Sequence, residues 1–350
     1  MRMRRPDRTR WLLLLLASAL LLPGCLVNPV PTPGTSGSLA ESDSGFTNNA
    51  QDVASAADAT TADSKNADAT DSAVPGVNLG TLAESATSTA AVFAFSPDAP
   101  SSGKLVVFLP DSAQQPSDYM TLAVAIAQQG HRVLVPSVTV AAQTACAGDG
   151  TCLDLARQEI LDGQDRTSKI TVTTADCLQT RLVKTLTSLD KDRPGENWGK
   201  FYAGSSPIWS DILIAGHGEG ASEAASVALH LKVWRVALLA GPTDGVGATP
   251  SNWLSGTSKT PTSAWRAFAH TKDATWAIIV ASWTALGLGS SAAAVSVDGN
   301  QQPGISVQLL TTAMNVPDPR AAIAVDGQMP TDVVAEQHLR LAWKVLFWPY

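Results

Sequence analysis

The fold of this chain is decided by residues 211–222, whose sequence is DILIAGHGEGAS. The apolar residues 212–215 predict a short buried strand, and glycines at every second position follow it. Residues 219–229 then have the composition of a helix. A strand, a sharp glycine-rich turn and a helix in this order are typical of one unit of a protein with a central sheet and flanking helices.

The turn has the spacing of the Gly-x-Ser-x-Gly motif, in which a serine nucleophile stands on a strained turn between a strand and a helix. Gly216 and Gly220 are its two outer glycines. The serine position is Gly218, which has no side-chain atom that can attack a carbonyl, so covalent catalysis there is impossible. Ser222 lies one helical turn further on and points away from the turn, so it is not assigned the role.

The start of the chain has the pattern of a targeting segment. Five arginines within residues 2–10 precede the apolar segment 11–22, which is too short to span a membrane comfortably. Residues 22–25 are Leu-Pro-Gly-Cys and resemble the lipobox of bacterial lipoproteins. This resemblance implies removal of residues 1–24, acylation of Cys25, and anchoring in the bilayer of the cell envelope outside the cytoplasm, at the outer membrane if the cell is Gram-negative. An ordinary secretory signal is the alternative.

Residues 25–85 are predicted to form a disordered tether, because their Ala/Ser/Thr/Asp-rich composition includes almost no large apolar residue. Residues 86–350 are then long enough for one domain. Removal of residues 1–24 takes away five arginines and one aspartate and changes the formal net charge from −7 to −11. A chain this acidic, without a basic patch, is not expected to bind nucleic acid.

Three cysteines remain besides Cys25. Cys146 and Cys152 flank a short turn-forming segment, so we predict a disulfide between them, as suits an oxidising compartment; two free thiols are the alternative. No histidine or second cysteine pair lies near them in the sequence, and we predict neither a metal site nor a cofactor. Cys177 begins an amphipathic helix and is expected to be buried.

The remaining pattern alternates between predicted strands and predicted helices. Strands are predicted at residues 90–95, 104–110, 131–138, 211–215, 234–239, 265–270 and 305–311. Helices are predicted at residues 117–129, 176–189, 219–229, 274–286 and 331–347, with irregular structure at residues 139–175. Such alternation indicates an α/β fold with a doubly wound, mostly parallel sheet flanked by helices.

The motif, its context and the order of elements resemble those of the α/β-hydrolase superfamily. More narrowly, residues 104–347 resemble a group of secreted bacterial α/β-hydrolase-like proteins. The stretches that carry this narrower resemblance are residues 156–160, 181–184, 197–199 and 235–237. The superfamily implies an esterase- or lipase-type serine hydrolase in which an acidic residue and then a histidine follow the nucleophile along the chain.

The resemblance places the acidic residue at Asp273, with Asp244 as the alternative. It places the histidine in the loop 313–330, which contains no histidine, and Arg320 stands at that position. A guanidinium stays protonated at neutral pH and cannot serve as a general base. His338 would be a substitute base only if the closing helix began later than predicted, so we interpret it as a residue on the helix surface.

Two backbone N–H groups stabilise the oxyanion in this superfamily. The first belongs to Glu219, whose carboxylate is expected to oppose a developing negative charge. The second belongs to the loop that begins at Asp111, where related enzymes carry glycines. Together with Gly218 and Arg320, these departures predict a pseudoenzyme that binds a small molecule or a protein partner in the former active-site cleft. A hydrolase with a relocated nucleophile or base, and a purely structural envelope protein, are the alternatives.

Overall fold

A sheet of nine strands forms the centre of the domain in the part of the chain that the computed structural model describes. The described residues are 77–83, 91–97, 102–137, 140–299 and 302–348. In chain order, the strands are β1 (Val77–Ala83), β2 (Ala91–Pro97), β3 (Leu105–Leu109), β4 (Arg132–Val135), β5 (Tyr202–Ala203), β6 (Ser206–Pro207), β7 (Ile212–His217), β8 (Arg235–Leu239), β9 (Gly245–Val246), β10 (Thr249–Pro250), β11 (Trp265–His270), β12 (Val295–Ser296) and β13 (Leu309–Thr312). Strands β5 and β6 pair only with each other, as do β9 and β10.

The other nine strands lie in the order β1-β2-β4-β3-β7-β8-β11-β13-β12. The pairs that involve β1 or β2 are antiparallel and the rest are parallel. Val106 of β3 pairs with Val133 of β4 on one side and with Leu213 of β7 on the other, and all three are fully buried. Strands covered on both faces are rich in apolar residues, which explains the nearly continuous apolar runs in the sequence. The predicted doubly wound, mostly parallel sheet is confirmed.

Helices cover both faces of this sheet. They are α1 (Met120–Ala127), α2 (Ala142–Cys146), α3 (Gly150–Asp162), α4 (Leu178–Asp192), α5 (Glu219–His230), α6 (Trp276–Ala285) and α7 (Val333–Leu346). Buried side chains of α3 to α6 belong to one apolar layer, and those of α1 and α7 belong to the other. The α4 helix illustrates how a helix contributes one apolar face to such a layer. Its buried leucines recur at helical spacing and are Leu178, Leu182, Leu186 and Leu189.

The prediction that residues 139–175 are irregular is wrong, because this segment contains α2 and α3. The α3 helix begins where the carboxylate of Asp149 accepts the backbone N–H groups of Thr151 and Cys152. Its apolar pattern was hidden by two charged side chains on the buried side. Arg157 and Glu159 are each only 1% exposed.

Cys146 at the end of α2 and Cys152 in the first turn of α3 are joined by a disulfide, as predicted, with their Cα atoms 5.5 Å apart. The bond therefore links two helices rather than closing an irregular loop. Cys177 is a buried free thiol that directly precedes α4.

Strand β1 lies inside residues 25–85, the segment assigned to the tether. It pairs with β2 so that Val77 faces Pro97 and Ala83 faces Ala91. The sheet therefore begins before residue 86. The predicted signal peptide, residues 1–24, and Cys25 lie outside the described residues. Among the helices of the described residues, none combines the length and the apolar character needed to cross a bilayer.

Candidate functional site

The turn between β7 and α5 has the strained backbone expected of a nucleophile elbow. Gly218 adopts φ 57° and ψ −115°, a combination that is costly for residues with a side chain. The elbow is also closely packed against its surroundings. A Cβ atom on Gly216 would lie 2.1 Å from the carbonyl oxygen of Gly220, and one on Gly220 would lie 2.1 Å from that of Leu109. The sharp turn therefore depends on its outer glycines.

The space above Gly218 is filled by two charged side chains. A Cβ atom on Gly218 would lie 2.2 Å from Oδ2 of Asp111 and 2.3 Å from Nη2 of Arg320. These side chains form an ion pair, with Nε of Arg320 2.8 Å from Oδ2 of Asp111, and they are 26% and 12% exposed. An ion pair thus occupies the volume in which the nucleophile of the superfamily would stand.

The other carboxylate oxygen of Asp111 accepts two backbone N–H groups, one of which is the oxyanion donor implied at Glu219. Its Oδ1 accepts the N–H of Glu219 at 3.0 Å and the N–H of Ser112 at 2.9 Å. One donor follows the nucleophile position and the other lies in the loop after β3. Both N–H groups are therefore already bound to an anion that belongs to the protein.

The side chain of Glu219 does not point at these donors, which corrects the predicted origin of the opposing charge. Its Oε1 accepts the backbone N–H of Gln143 at 2.8 Å and lies 3.5 Å from Nη2 of Arg157. The negative charge at the oxyanion position comes from Asp111 instead.

The ion pair keeps Asp111 in its charged form. Burial disfavours the carboxylate, but the charge of Arg320 and the hydrogen bonds from Arg320 and the Glu219 N–H outweigh it. The pKa of Asp111 is therefore below its usual range. Burial also disfavours the charged form of Arg320, yet Asp111 raises the pKa of its guanidinium above the usual range.

His217, the last residue of β7, is held in place by two buried contacts. Its Nδ1 lies 3.0 Å from the hydroxyl of Tyr119, and its Nε2 lies 2.9 Å from the carbonyl oxygen of Arg320. The carbonyl can only accept, so Nε2 carries the proton and Nδ1 accepts from Tyr119. Burial lowers the pKa of His217, and the ring is therefore neutral at neutral pH.

Asp273 lies three residues after β11 and reaches Arg320 through Thr275. Its Oδ1 accepts both the backbone N–H and the hydroxyl of Thr275 at 2.7 Å. The hydroxyl oxygen of Thr275 in turn accepts from Nη1 of Arg320 at 3.1 Å. The buried Oδ2 of Asp273 has no hydrogen-bond partner among the described residues. The structure therefore brings together the positions predicted for the acid, the base and the nucleophile.

The alternative acid, Asp244, belongs to a separate buried cluster. Its carboxylate binds Arg157 through two hydrogen bonds of 2.8 and 3.0 Å. Arg157 also lies 3.4 Å from Glu223 and 3.5 Å from Glu219. Burial raises the pKa of Glu223 to about 8. The sequence pattern did not assign Arg157 a role, because residues 139–175 were predicted to be irregular.

A cleft of about 420 Å³ opens beside the ion pair. Its lining includes Gln143, Thr243, Lys272, Asp273, Thr275 and Arg320. Most of these residues follow the carboxyl ends of parallel strands, which is where ligands bind in open sheets of this kind. His338 lies within α7 and is not part of the lining. Across the described stretches, no group of three or more His, Cys, Asp or Glu residues is arranged to hold a metal ion.

Several solved structures that match this chain at low sequence identity are esterases or lipases. Apo Thermogutta terrifontis esterase 2 is 11% identical, with a TM-score of 0.37, and the match covers 77% of this chain and 92% of that one. A hormone-sensitive lipase from a metagenome library is 11% identical, with a TM-score of 0.40 and coverage of 78% and 86%. Carboxyl esterase 2 from the fungus Tuber melanosporum is 9% identical, with a TM-score of 0.41 and coverage of 77% and 85%. No protein-family profile and no curated relative matches the chain. The likeness concerns the fold, and the function is argued from the residues of the site.

Proposed function

We propose that this chain has an α/β-hydrolase-like fold without serine-hydrolase activity, and that it acts by binding a ligand in the cleft beside Arg320. The position of Asp111 carries the proposal. Its Oδ1 binds the two N–H groups that would stabilise an oxyanion, while its Oδ2 and Arg320 fill the space above Gly218. A carbonyl substrate would need both of these places in the transition state.

A relocated nucleophile would need a hydroxyl or thiol beside a base, with space for a substrate. The hydroxyl of Ser222 is fully buried and accepts the backbone N–H of Thr243 at 3.1 Å. The hydroxyl of Tyr119 contacts the imidazole of His217, but both side chains are buried. Neither arrangement offers a substrate access to a nucleophile, and this favours the binding function over the alternative hydrolase.

Ligand binding does not require a serine at position 218 or a histidine in the loop 313–330. The cleft has about 420 Å³ of space, which lies within the usual range for sites of small molecules. Its walls carry charged and polar side chains from three separate loops and from α2. These groups suit recognition of a small polar molecule.

The proposal is tested by exposing the purified full chain to a fluorophosphonate probe and to p-nitrophenyl acetate. We expect neither labelling nor hydrolysis above that of the heat-denatured protein. Stoichiometric labelling of the native protein would overturn the proposal. The informative comparison is Gly218→Ser alone against Gly218→Ser combined with Asp111→Gly and Arg320→His. Labelling of the triple variant but not of Gly218→Ser would show that the Asp111–Arg320 ion pair, in addition to the missing serine, prevents the reaction.

We also propose that the chain is anchored to the cell envelope through an acylated Cys25. The support is the sequence, in which arginines, an apolar segment and Leu-Pro-Gly-Cys follow one another in residues 2–25. In a bacterial host, Cys25→Ser is expected to move the protein from the membrane fraction to the soluble fraction. Unchanged membrane association of this variant would refute the anchor.

A further inference from the structure

Basic residues lie where several parallel strands of the central sheet begin. They are Lys104 before β3, Arg132 in β4, Arg235 in β8 and Arg266 in β11. Acidic residues lie in the loops after three of these strands, and they are Asp111 after β3, Asp244 after β8 and Asp273 after β11. Parallel strands begin at one edge of a sheet and end at the other, so the fold separates the two kinds of charge. We call the edge that carries these four bases the basic edge, and the cleft lies at the opposite edge.

Exposed lysines extend the basic edge into solvent. Lys200 and Lys232 are both exposed, and Lys232 lies in the short connection between α5 and β8. A Cβ atom on Gly103 would lie 3.7 Å from Nζ of Lys200, so this ammonium lies beside the start of β3. Burial, and next the charge of Arg132, lower the pKa of Lys200. The bases of this edge therefore lie close enough to repel one another.

Acidic side chains at this edge offset only part of its positive charge. Asp211 forms an ion pair with Lys104, and the carboxylate of Glu196 lies near Arg132. The acids and bases at the end of α4 are equal in number, and they are Asp190, Lys191, Asp192 and Arg193. Within the described ranges, the two exposed lysines form no ion pair. The bases of this edge therefore outnumber the acids among the residues that the structure describes.

The chain enters the sheet at the same edge. Strand β2 is antiparallel to β4, with Phe95 opposite Val133, so β2 ends at the edge where β4 begins. Strand β1 is antiparallel to β2, with Val77 opposite Pro97, so β1 begins at that edge. A tether from an acylated Cys25 would therefore reach the sheet at the basic edge and not at the cleft.

We propose that the basic edge rests on a bilayer of anionic lipids, so that the cleft faces away from the membrane. Anionic headgroups attract lysines and arginines that lie within a Debye length of the surface. The half-buried Trp234 and Trp348 lie among these bases, and tryptophans of this kind suit the layer between water and lipid. The formal net charge of −7 favours a flat bilayer, which meets one edge only, over a nucleic acid that would also meet acidic surfaces.

This orientation goes beyond ligand binding in the cleft and rests in part on the proposed anchor. Lysine footprinting tests it with the full chain carrying Cys25→Ser, so that the result does not depend on acylation. The chain is mixed with vesicles of phosphatidylglycerol or of phosphatidylcholine and treated with sulfosuccinimidyl acetate. Mass spectrometry then gives the acetylation rate of each lysine.

We expect Lys200 and Lys232 to react about tenfold more slowly on phosphatidylglycerol than on phosphatidylcholine, and high salt to remove the difference. Lys169, before α4, and Lys184, in the middle of α4, are exposed internal controls and should react equally on both. Equal protection of all four lysines, or protection of none, would overturn the inference. Protection of Lys200 and Lys232 by duplex DNA but not by phosphatidylglycerol would also overturn it.

A pair of matched variants gives a second measurement. Lys200→Gln with Lys232→Gln should weaken sedimentation with phosphatidylglycerol vesicles about tenfold. Lys169→Gln with Lys184→Gln removes the same charge elsewhere and should have little effect, and equal losses in both variants would contradict the inference. A high-salt wash removes contact through the basic edge but not an acyl anchor, so fractionation of Cys25→Ser in cells tests the anchor separately.

Discussion

Oδ1 of Asp111 lies 3.0 Å from the backbone nitrogen of Glu219, where the negative charge of a reaction intermediate would be expected. The two residues are 108 positions apart in the sequence. They meet because β3 and β7 are parallel neighbours, with Leu109 paired with Gly216. Both strands end at the same edge of the sheet, so the loop after β3 reaches the start of α5. As a result, the carboxylate of Asp111 accepts the backbone N–H groups of Glu219 and Ser112.

Restoring the serine alone is expected to destabilise the protein. Gly218→Ser puts a side chain at positive φ and into the volume of the Asp111–Arg320 pair. Gly247 is a matched control, with φ 59° and no atom within 4 Å of a Cβ. Gly247→Ser should lower the free energy of unfolding by about 1 kcal/mol, because of its backbone conformation. Gly218→Ser should lower it by about 2–3 kcal/mol more, because the ion pair must move. An equal loss of free energy in both variants, measured by urea unfolding, would mean that the ion pair does not block a side chain at position 218.

Removing Asp111 is expected to open a site for external anions. Asp111→Gly leaves Arg320 largely buried without its partner and should lower the free energy of unfolding by about 3 kcal/mol. Acetate is expected to raise the melting temperature of this variant by binding the N–H groups of Ser112 and Glu219, and to leave the wild-type protein unchanged. Sodium chloride at the same ionic strength is the control. The same response to acetate in both proteins would argue against an occupied oxyanion site.

The buried Glu223 is expected to make stability depend on pH. Burial raises its pKa from 4.5 to about 8, so between these values the folded state holds a proton that the unfolded state has released. The free energy of unfolding should therefore fall as pH rises from about 4.5 to about 8, and this contribution should be constant above about 8.

Glu223→Gln is expected to remove this dependence, because an amide does not titrate. Denaturant unfolding at intervals between pH 5 and 9 measures the effect as a gain of the variant over the wild type that grows with pH. Glu336→Gln, at a glutamate whose side chain is 42% exposed, is the control and should follow the wild type. A constant difference between Glu223→Gln and the wild type across this range would contradict the assignment.

The disulfide is expected to contribute modestly to stability. Cys146 and Cys152 are six positions apart, and closing a loop of this size removes about 2 kcal/mol of unfolded-state entropy at 25 °C. Replacing both by serine should lower the free energy of unfolding by about this amount. Dithiothreitol should reproduce the loss in the wild type and have no further effect in the double variant. A reductant that destabilises both proteins equally would show that it acts elsewhere.

Most of the fold and part of the site could be predicted from the sequence, because both depend on local patterns of residues. Mostly apolar runs predicted β3, β7, β8 and β11, since strands buried on both faces are rich in apolar residues. The absence of a serine at Gly218 was readable from motif spacing, and the absence of a histidine in the loop 313–330 was readable once the resemblance had placed the base there. The α3 helix was not predicted, because Arg157 and Glu159 interrupt its apolar face. The burial of these two side chains depends on partners from other segments.

The sequence by itself determined that this chain forms a strand–turn–helix unit with glycine at the nucleophile position. It also determined that the loop 313–330 contains Arg320 and no histidine. Only the tertiary structure decided that Asp111 and Arg320 fill the vacated space together, and that Glu219 turns away towards Arg157. Hydrogen bonds and ion pairs between distant segments depend on distances of a few ångströms, which are set by how β3, β7 and the loop after β13 pack. No pattern along the chain contains those distances.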